Sequence, residues 1–206
     1  APQWLDGCLQ CFANNRLVIA GHRGTLLHTA DGTNWTQVSL GATNSFFSLA
    51  WGNGLLVAVG RTTNAFGNAT YGIAYASADA SQWAPAAFDT FPSDLWSVAY
   101  GKDRFVARGR SGALAASADG QSWTNLTGYA SLNDEVPALQ FDGTQFLALS
   151  MTTGWLYGST NGQTWTQLSM PAFISPYDLA GNGQTWVTVG GTWSCNIASA
   201  TNLTKP

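Results

Sequence analysis

The sequence predicts an all-β chain assembled from five copies of one small antiparallel unit. Three observations predict it. A turn motif recurs about every 40 residues, an apolar hairpin stands about 20 residues ahead of each turn, and no window carries the period of a helix. Four short strands repeated at that interval make a propeller blade. The predicted architecture is therefore a five-bladed β-propeller of four-stranded antiparallel blades.

Four copies of the turn align directly: Thr29-Ala30-Asp31-Gly32-Thr33-Asn34-Trp35, Ser77-Ala78-Asp79-Ala80-Ser81-Gln82-Trp83, Ser117-Ala118-Asp119-Gly120-Gln121-Ser122-Trp123 and Ser159-Thr160-Asn161-Gly162-Gln163-Thr164-Trp165. Their Trp-to-Trp spacings are 48, 40 and 42. A fifth copy, Ala200-Thr201-Asn202-Leu203-Thr204, stops where its Trp would fall. In such a turn the Asp accepts from backbone amides, Gly takes a positive φ, and Trp fills the gap between neighbouring units. Asp31, Asp79 and Asp119, with Trp35, Trp83, Trp123 and Trp165, are expected to be structural, not catalytic.

The hairpins run from Phe12 to Gly21, Trp51 to Gly60, Tyr100 to Gly109, Phe141 to Ser150 and Gly181 to Gly190. Each pairs an apolar strand end with a β-branched or aromatic strand across a Gly, Asn or Asp turn. Third strands are expected over 25–28, 73–76, 113–116, 155–158 and 196–199, and a fourth after each turn. Blades then cover roughly 7–40, 41–89, 90–128, 129–170 and 171–206 of one domain. The last unit lacks an outer strand, so the ring is expected to be closed by the N-terminal segment 1–6, with Trp4 standing in for the missing turn Trp.

The turn resembles the Asp box of sialidase-type (BNR) repeats, Ser/Thr-x-Asp-x-Gly-x-x-Trp, with one residue fewer between Asp and Gly. The resemblance covers nearly the whole chain and implies the propeller architecture. It implies no activity, since Asp boxes occur in hydrolases, lectins and scaffolds alike.

Composition narrows the function classes. Charged residues make up 9% of the 206 positions against a usual share of about 25%. With eight Lys and Arg and a net charge of −3, the chain lacks the basic face that nucleic acid requires. No run of 18 apolar residues offers a membrane span. A secreted, cell-surface or periplasmic protein is expected, and the start at Ala1-Pro2-Gln3 reads as a processed terminus or the edge of the chain chosen. Asn-x-Thr sequons stand at Asn34, Asn68, Asn125 and Asn202. Of three cysteines, Cys195 is expected to pair with Cys8 or Cys11 and tie the chain ends. A buried free thiol and a metal site are the alternatives. No cofactor is expected.

A binding site is expected at the channel mouth, where the second-to-third and fourth-to-first loops meet. There the spacing places Asp6, Ser45, Asp94, Asp134 and Glu135 before the inner strands, and His22, Arg23, Arg61, Arg110 and Met151 after the second strands, with Arg108 just inside. Trp96, Trp155 and Trp193 add aromatic surface, and the insertion 61–72 rises from the same face. An aromatic ring beside Arg, Asp and Asn suits a sugar, so the predicted ligand-binding set is Trp193, Trp155, Trp96, Arg61, Arg110, His22, Asp94 and Glu135. These residues differ from blade to blade, which predicts one composite site. The expected function is carbohydrate binding, with a glycan or glycoconjugate as partner. A protein-interaction or adhesion scaffold is the alternative, and a glycoside-active enzyme ranks below both. Whether the acidic residues hold a cation stays open, since their spacing matches no linear calcium motif.

Overall fold

The computed structural model describes residues 9–64, 70–90, 92–126, 136, 138–151, 153–168, 176–181, 185–190 and 196–201, without the side chains at 9, 10, 176 and 196–201. Five sheets follow one another along them. The first contains β1 (Leu9–Ala13), β2 (Arg16–Ala20), β3 (Thr25–Thr29) and β4 (Thr36–Ser39) in sequence order. The second contains β5 (Asn44–Gly52), β6 (Leu55–Thr63), β7 (Thr70–Ser77) and β8 (Ala84–Pro85). A two-residue strand, β9 (Ala87–Phe88), leaves the second sheet and joins the third. There it pairs parallel to β13 (Ser122–Asn125), outside β10 (Leu95–Gly101), β11 (Arg104–Gly109) and β12 (Leu114–Ser117). The fourth sheet holds β14 (Ala138–Phe141), β15 (Phe146–Leu149), β16 (Leu156–Ser159) and β17 (Thr166–Gln167). The fifth holds β18 (Pro176–Gly181), β19 (Thr185–Gly190) and β20 (Asn196–Thr201). First strands of successive sheets pack side by side, β1 on β5, β5 on β10, β10 on β14 and β14 on β18. That is the arrangement of propeller blades around an axis.

Local sequence explains the first three hairpins. Asn14-Asn15, Asn53-Gly54 and Lys102-Asp103 all have positive φ at both positions, the two-residue turn whose twist matches the strands it joins. In the fifth sheet Gly181 faces Trp186, which settles the register of the last repeat as the one expected from Gly181 to Gly190.

The repeated turn is a small hydrogen-bonded unit. Asp31, Asp79, Asp119 and Asn161 each accept, through one oxygen, the amides two and three residues on, at 2.7–2.9 Å. The hydroxyl two residues earlier (Thr29, Ser77, Ser117 or Ser159) donates to that same oxygen. Because these amides favour the charged carboxylate, Asp31, Asp79 and Asp119 all have pKa values held below the ordinary aspartate range. Trp83 and Trp123 donate their ring N–H to the carbonyl three residues back, at Ala80 and Gly120. Trp123 and Trp165 are buried between their own sheet and the preceding one, in clusters that contain Val57 and Val106 respectively. The structural assignment of these residues therefore holds, although Trp35 of the first sheet remains 40% exposed.

Residues 1–6, expected to close the ring with Trp4, lie outside the described residues. So do Cys8 and Cys195. Cys11 carries a free, half-buried thiol, so the pairing through Cys11 is not formed. Burial pushes that thiol's pKa up. Among the described residues no helix is long and apolar enough to cross a membrane.

Candidate functional site

The loops between second and third strands are built alike. Gly21, Gly109 and Ser150 each donate their amide to the carbonyl that re-enters the third strand, at Thr25, Ala113 and Trp155, over 2.9–3.1 Å. Within them Arg23, at φ 55, and Ser111, at φ 54, take the left-handed conformation, so the chain turns sharply there. In the fourth sheet the loop is tied by hydroxyls. Thr153 donates to Ser150 Oγ at 2.8 Å, and Trp155 emerges beside it with much of its indole exposed.

These loops meet the first strands of the next sheet. His22 bridges Ser45 through the backbone, and its Nδ1 lies 3.1 Å from Ser45 Oγ. Phe46 donates its amide to the Gly21 carbonyl at 3.1 Å, and within the third sheet Asp94 accepts the Arg110 amide at 2.9 Å through its own carbonyl. The opposite end carries the repeated turns: Asn14 donates to the Ala78 carbonyl, and Arg104 to that of Asn161. The two faces expected from the sequence are thus separate, with His22, Arg61, Asp94, Arg110 and Trp155 on the rim away from the turns.

The first strand of three sheets carries a bulge at this rim. Register slips between Phe46 and Ser48, between Leu95 and Ser97, and between Pro176 and Asp178. The extra residue is an aromatic each time: Phe47, Trp96 and Tyr177. A bulge re-aims one side chain out of the ladder. It also brings the strand close to its partner, so that a Cβ at Gly60 would lie 1.9 Å from the Ser45 carbonyl oxygen, and one at Gly109 1.8 Å from that of Asp94. Where Ser150 replaces this glycine, the described pairing of the fourth sheet runs without a slip.

Four of the rim side chains form a continuous run. The His22 ring meets Phe47 edge-on at 5.9 Å, the Arg61 guanidinium lies 5.5 Å over the same ring, and Arg61 Nη1 reaches Asp94 Oδ2 at 3.3 Å. This run crosses three sheets. Its acid is buried, at 2% exposure, and its guanidinium is 41% exposed. Arg108 is buried instead, 5.3 Å from the Trp165 ring, and so belongs to the packing between third and fourth sheets. Trp96 is half-buried, and Glu135 and Trp193 lie outside the described residues.

Phe47 and Tyr177 were not among the expected site residues. Both stand four residues before the aligned hairpin start, as Trp96 does, so the signal was positional. The weak register of the last repeat concealed Tyr177. Among the described residues no three His, Cys, Asp or Glu side chains converge as a metal-ligand set. On the turn face a shallow groove of about 380 Å³ lies between third and fourth sheets, lined by Arg104, Asp119, Ser122 and Gln163 among others. Asp119 is committed there to turn amides, which removes it as a reactive group.

No protein-family profile matches the chain, and no curated protein does. Solved structures do. A structure described as YCF48 bound to D1 peptide is 15% identical with a TM-score of 0.65, over 97% of this chain and 68% of that one. YCF48 from Cyanidioschyzon merolae is 16% identical with a TM-score of 0.66, over 92% of this chain and 66% of that one. The WD40 β-propeller domain of Doa1 is 9% identical with a TM-score of 0.68, over 98% of this chain and 68% of that one. The chain thus spans about two thirds of the length of these proteins. At such identities the likeness shows the fold, and the fold is a β-propeller.

Proposed function

We propose that this chain is a five-bladed, Asp-box-type propeller that serves as a protein-interaction scaffold, binding a polypeptide segment at the rim formed by His22, Phe47, Arg61, Trp96, Arg110 and Trp155. The observation that carries the reading is the run from His22 through Phe47 and Arg61 to Asp94. It places an imidazole, the apolar Phe47 ring and a half-exposed guanidinium side by side across three sheets. A polypeptide offers what such a rim can use: carbonyls and carboxylates for the guanidinium, and side chains for the rings. The rim residues differ from sheet to sheet, which suits one extended partner better than five equivalent ligands. Two of the propellers that resemble it are YCF48, in one case with a peptide bound, and that adds support for a peptide over a sugar.

The sugar reading expected from composition receives no support from the comparisons. A random-peptide display selection on the immobilised chain, run beside a glycan array, decides between them. Enriched peptides that compete with one another, with a blank array, are the expected result. A saturable glycan hit with no enriched peptide would reverse the assignment.

A further inference from the structure

The joint between the first and second sheets carries a titratable side chain at a place where the other sheets have none. His28 stands in β3 opposite Val18 of β2. The residues that pair in the same way with the second strands of the later sheets are Ala76, Ala116, Gly158 and Ser199. His28 is 4% exposed, beside the apolar cluster in which Val18 of the first sheet meets Leu56 and Ala80 of the second.

Both ring nitrogens are engaged. Nδ1 lies 3.2 Å from Arg16 Nη1, and Nε2 lies 3.4 Å from Ser81 Oγ across the joint. A guanidinium only donates, so Nδ1 is the acceptor and the proton of the neutral ring sits on Nε2, aimed at Ser81. That tautomer has no lone pair toward Ser81, which rules the two out as base and nucleophile. Ser81 is fixed in the repeated turn of the second sheet, where its amide donates to Asp79 Oδ1 at 2.8 Å. The neutral imidazole therefore ties β2 and β3 of the first sheet to the turn of the second. A second proton would go to Nδ1, against the guanidinium. Burial and the Arg16 charge hold the His28 pKa below the ordinary histidine value, and the smaller pull of Asp79 across the joint opposes them. Arg16 and Asp79 are the charged groups that act on the ring, one from each sheet. In the third sheet, where Ala116 stands at this place, Arg104 holds the position of Arg16 and itself donates to the Asn161 carbonyl at 3.4 Å. That contact across the joint needs no neutral ring.

We propose that His28 is an acid-sensitive latch, holding the first sheet to the second while its ring is neutral and releasing that joint when the ring takes a second proton. The same joint bears, at its other end, the contacts of His22 with Ser45 and Phe47, so the rim run starts on the joint that the latch controls. The contribution of a histidine with a lowered pKa is fully present above the unfolded value of about 6.5 and is lost as pH falls through the folded value. The turn carboxylates stay charged over this window, so their loss comes at more acid pH.

The test is a proton NMR titration of the two histidines, assigned with His22→Gln, beside urea unfolding at about pH 8 and about pH 5. His28 is expected to titrate below about 6.5, and Arg16→Met is expected to move it up toward that value. The unfolding constant of wild type is expected to rise between the two pH values, by up to about tenfold for each pH unit by which His28 titrates below the unfolded value. In His28→Gln, whose carboxamide can accept from Arg16 and donate to Ser81 without ionising, most of that rise is expected to vanish. If circular dichroism shows this variant unfolded, His28→Ala, the residue type found at 76 and 116, carries the same comparison. His28 titrating at or above about 6.5 overturns the proposal. So does a rise as large in the His28 variant as in wild type, or a titration point that Arg16→Met leaves unmoved. Peptide binding at the rim is read separately and does not depend on the result.

Discussion

The repeated turn makes a graded stability prediction, because three of its copies differ in what surrounds the left-handed residue. At Gly32 the φ is +76° and an added Cβ meets nothing within 4 Å, so Gly32→Ala carries conformational strain alone. That strain is about 1–2 kcal/mol for an L-residue. At Gly120 the φ is +71°, and the Cβ would lie 2.9 Å from Val57 Cγ2 and 3.2 Å from Phe105 Cε2. Gly120→Ala adds overpacking of about 1–3 kcal/mol to the same strain, for a total of about 2–5 kcal/mol. Ala80 already occupies this position in the second sheet, at φ 64 and fully buried. Ala80→Gly releases strain of about 1 kcal/mol and removes a buried methyl worth about 0.8 kcal/mol, so it should be close to neutral. Urea unfolding followed by tryptophan fluorescence reads all three, and in a domain of this size each kcal/mol moves Tm by about 2–4 °C. Equal losses at Gly32 and Gly120 would refute the packing of the third turn on the second sheet.

Two further predictions concern charge. The turn carboxylates of Asp31, Asp79 and Asp119 are held below the ordinary range by turn amides. Their contribution is therefore fully present above the unfolded aspartate pKa of about 3.9 and is lost as pH falls through the folded values. Tm should be flat from pH 5 upward in this respect and fall in acid, and Asp119→Asn should shallow that fall, since Asn161 makes the same amide bonds without charge. An unchanged acid limb in the triple Asp-to-Asn variant would contradict the assignment. At the rim, Arg61→Met leaves the buried Asp94 without the guanidinium at 3.3 Å, whereas Asp94→Asn leaves a half-exposed arginine that water can take up. The first change should cost about 1–3 kcal/mol, discounted for the exposure of Arg61, and the second less. Urea unfolding that reversed this order would remove the pair from the account.

What repeats in this chain was legible in its sequence, and what occurs once was not. The Asp and Trp of each turn, the hairpin starts and the third strands recur at fixed offsets, so each copy corroborates the others. β9 was invisible because Ala87–Phe88 is held by its neighbours: Ala87 donates to Gln121, Asp89 to Trp123, and the Asp89 carboxylate accepts the Asn125 amide. No propensity in two residues announces such a strand. On the rim, Arg61 and Asp94 were singled out by their places in the repeat, in a chain with few charges. Their pairing needed the coordinates, since 33 residues separate them. Phe47 shares the position of Trp96 in the repeat, but sequence alone does not show the bulge that turns it out of the ladder.

The central claim is that the rim, and not the repeated turns, does the binding. Its most direct test is the affinity of a display-selected peptide for wild type, for a rim variant (Arg61→Gln with Trp155→Ala) and for the turn variant Asp119→Asn, each verified as folded by circular dichroism. The account predicts at least a 10-fold loss of affinity in the rim variant, about 1.4 kcal/mol, and no change in the turn variant. Equal affinity in rim variant and wild type, or a loss confined to the turn variant, would contradict it.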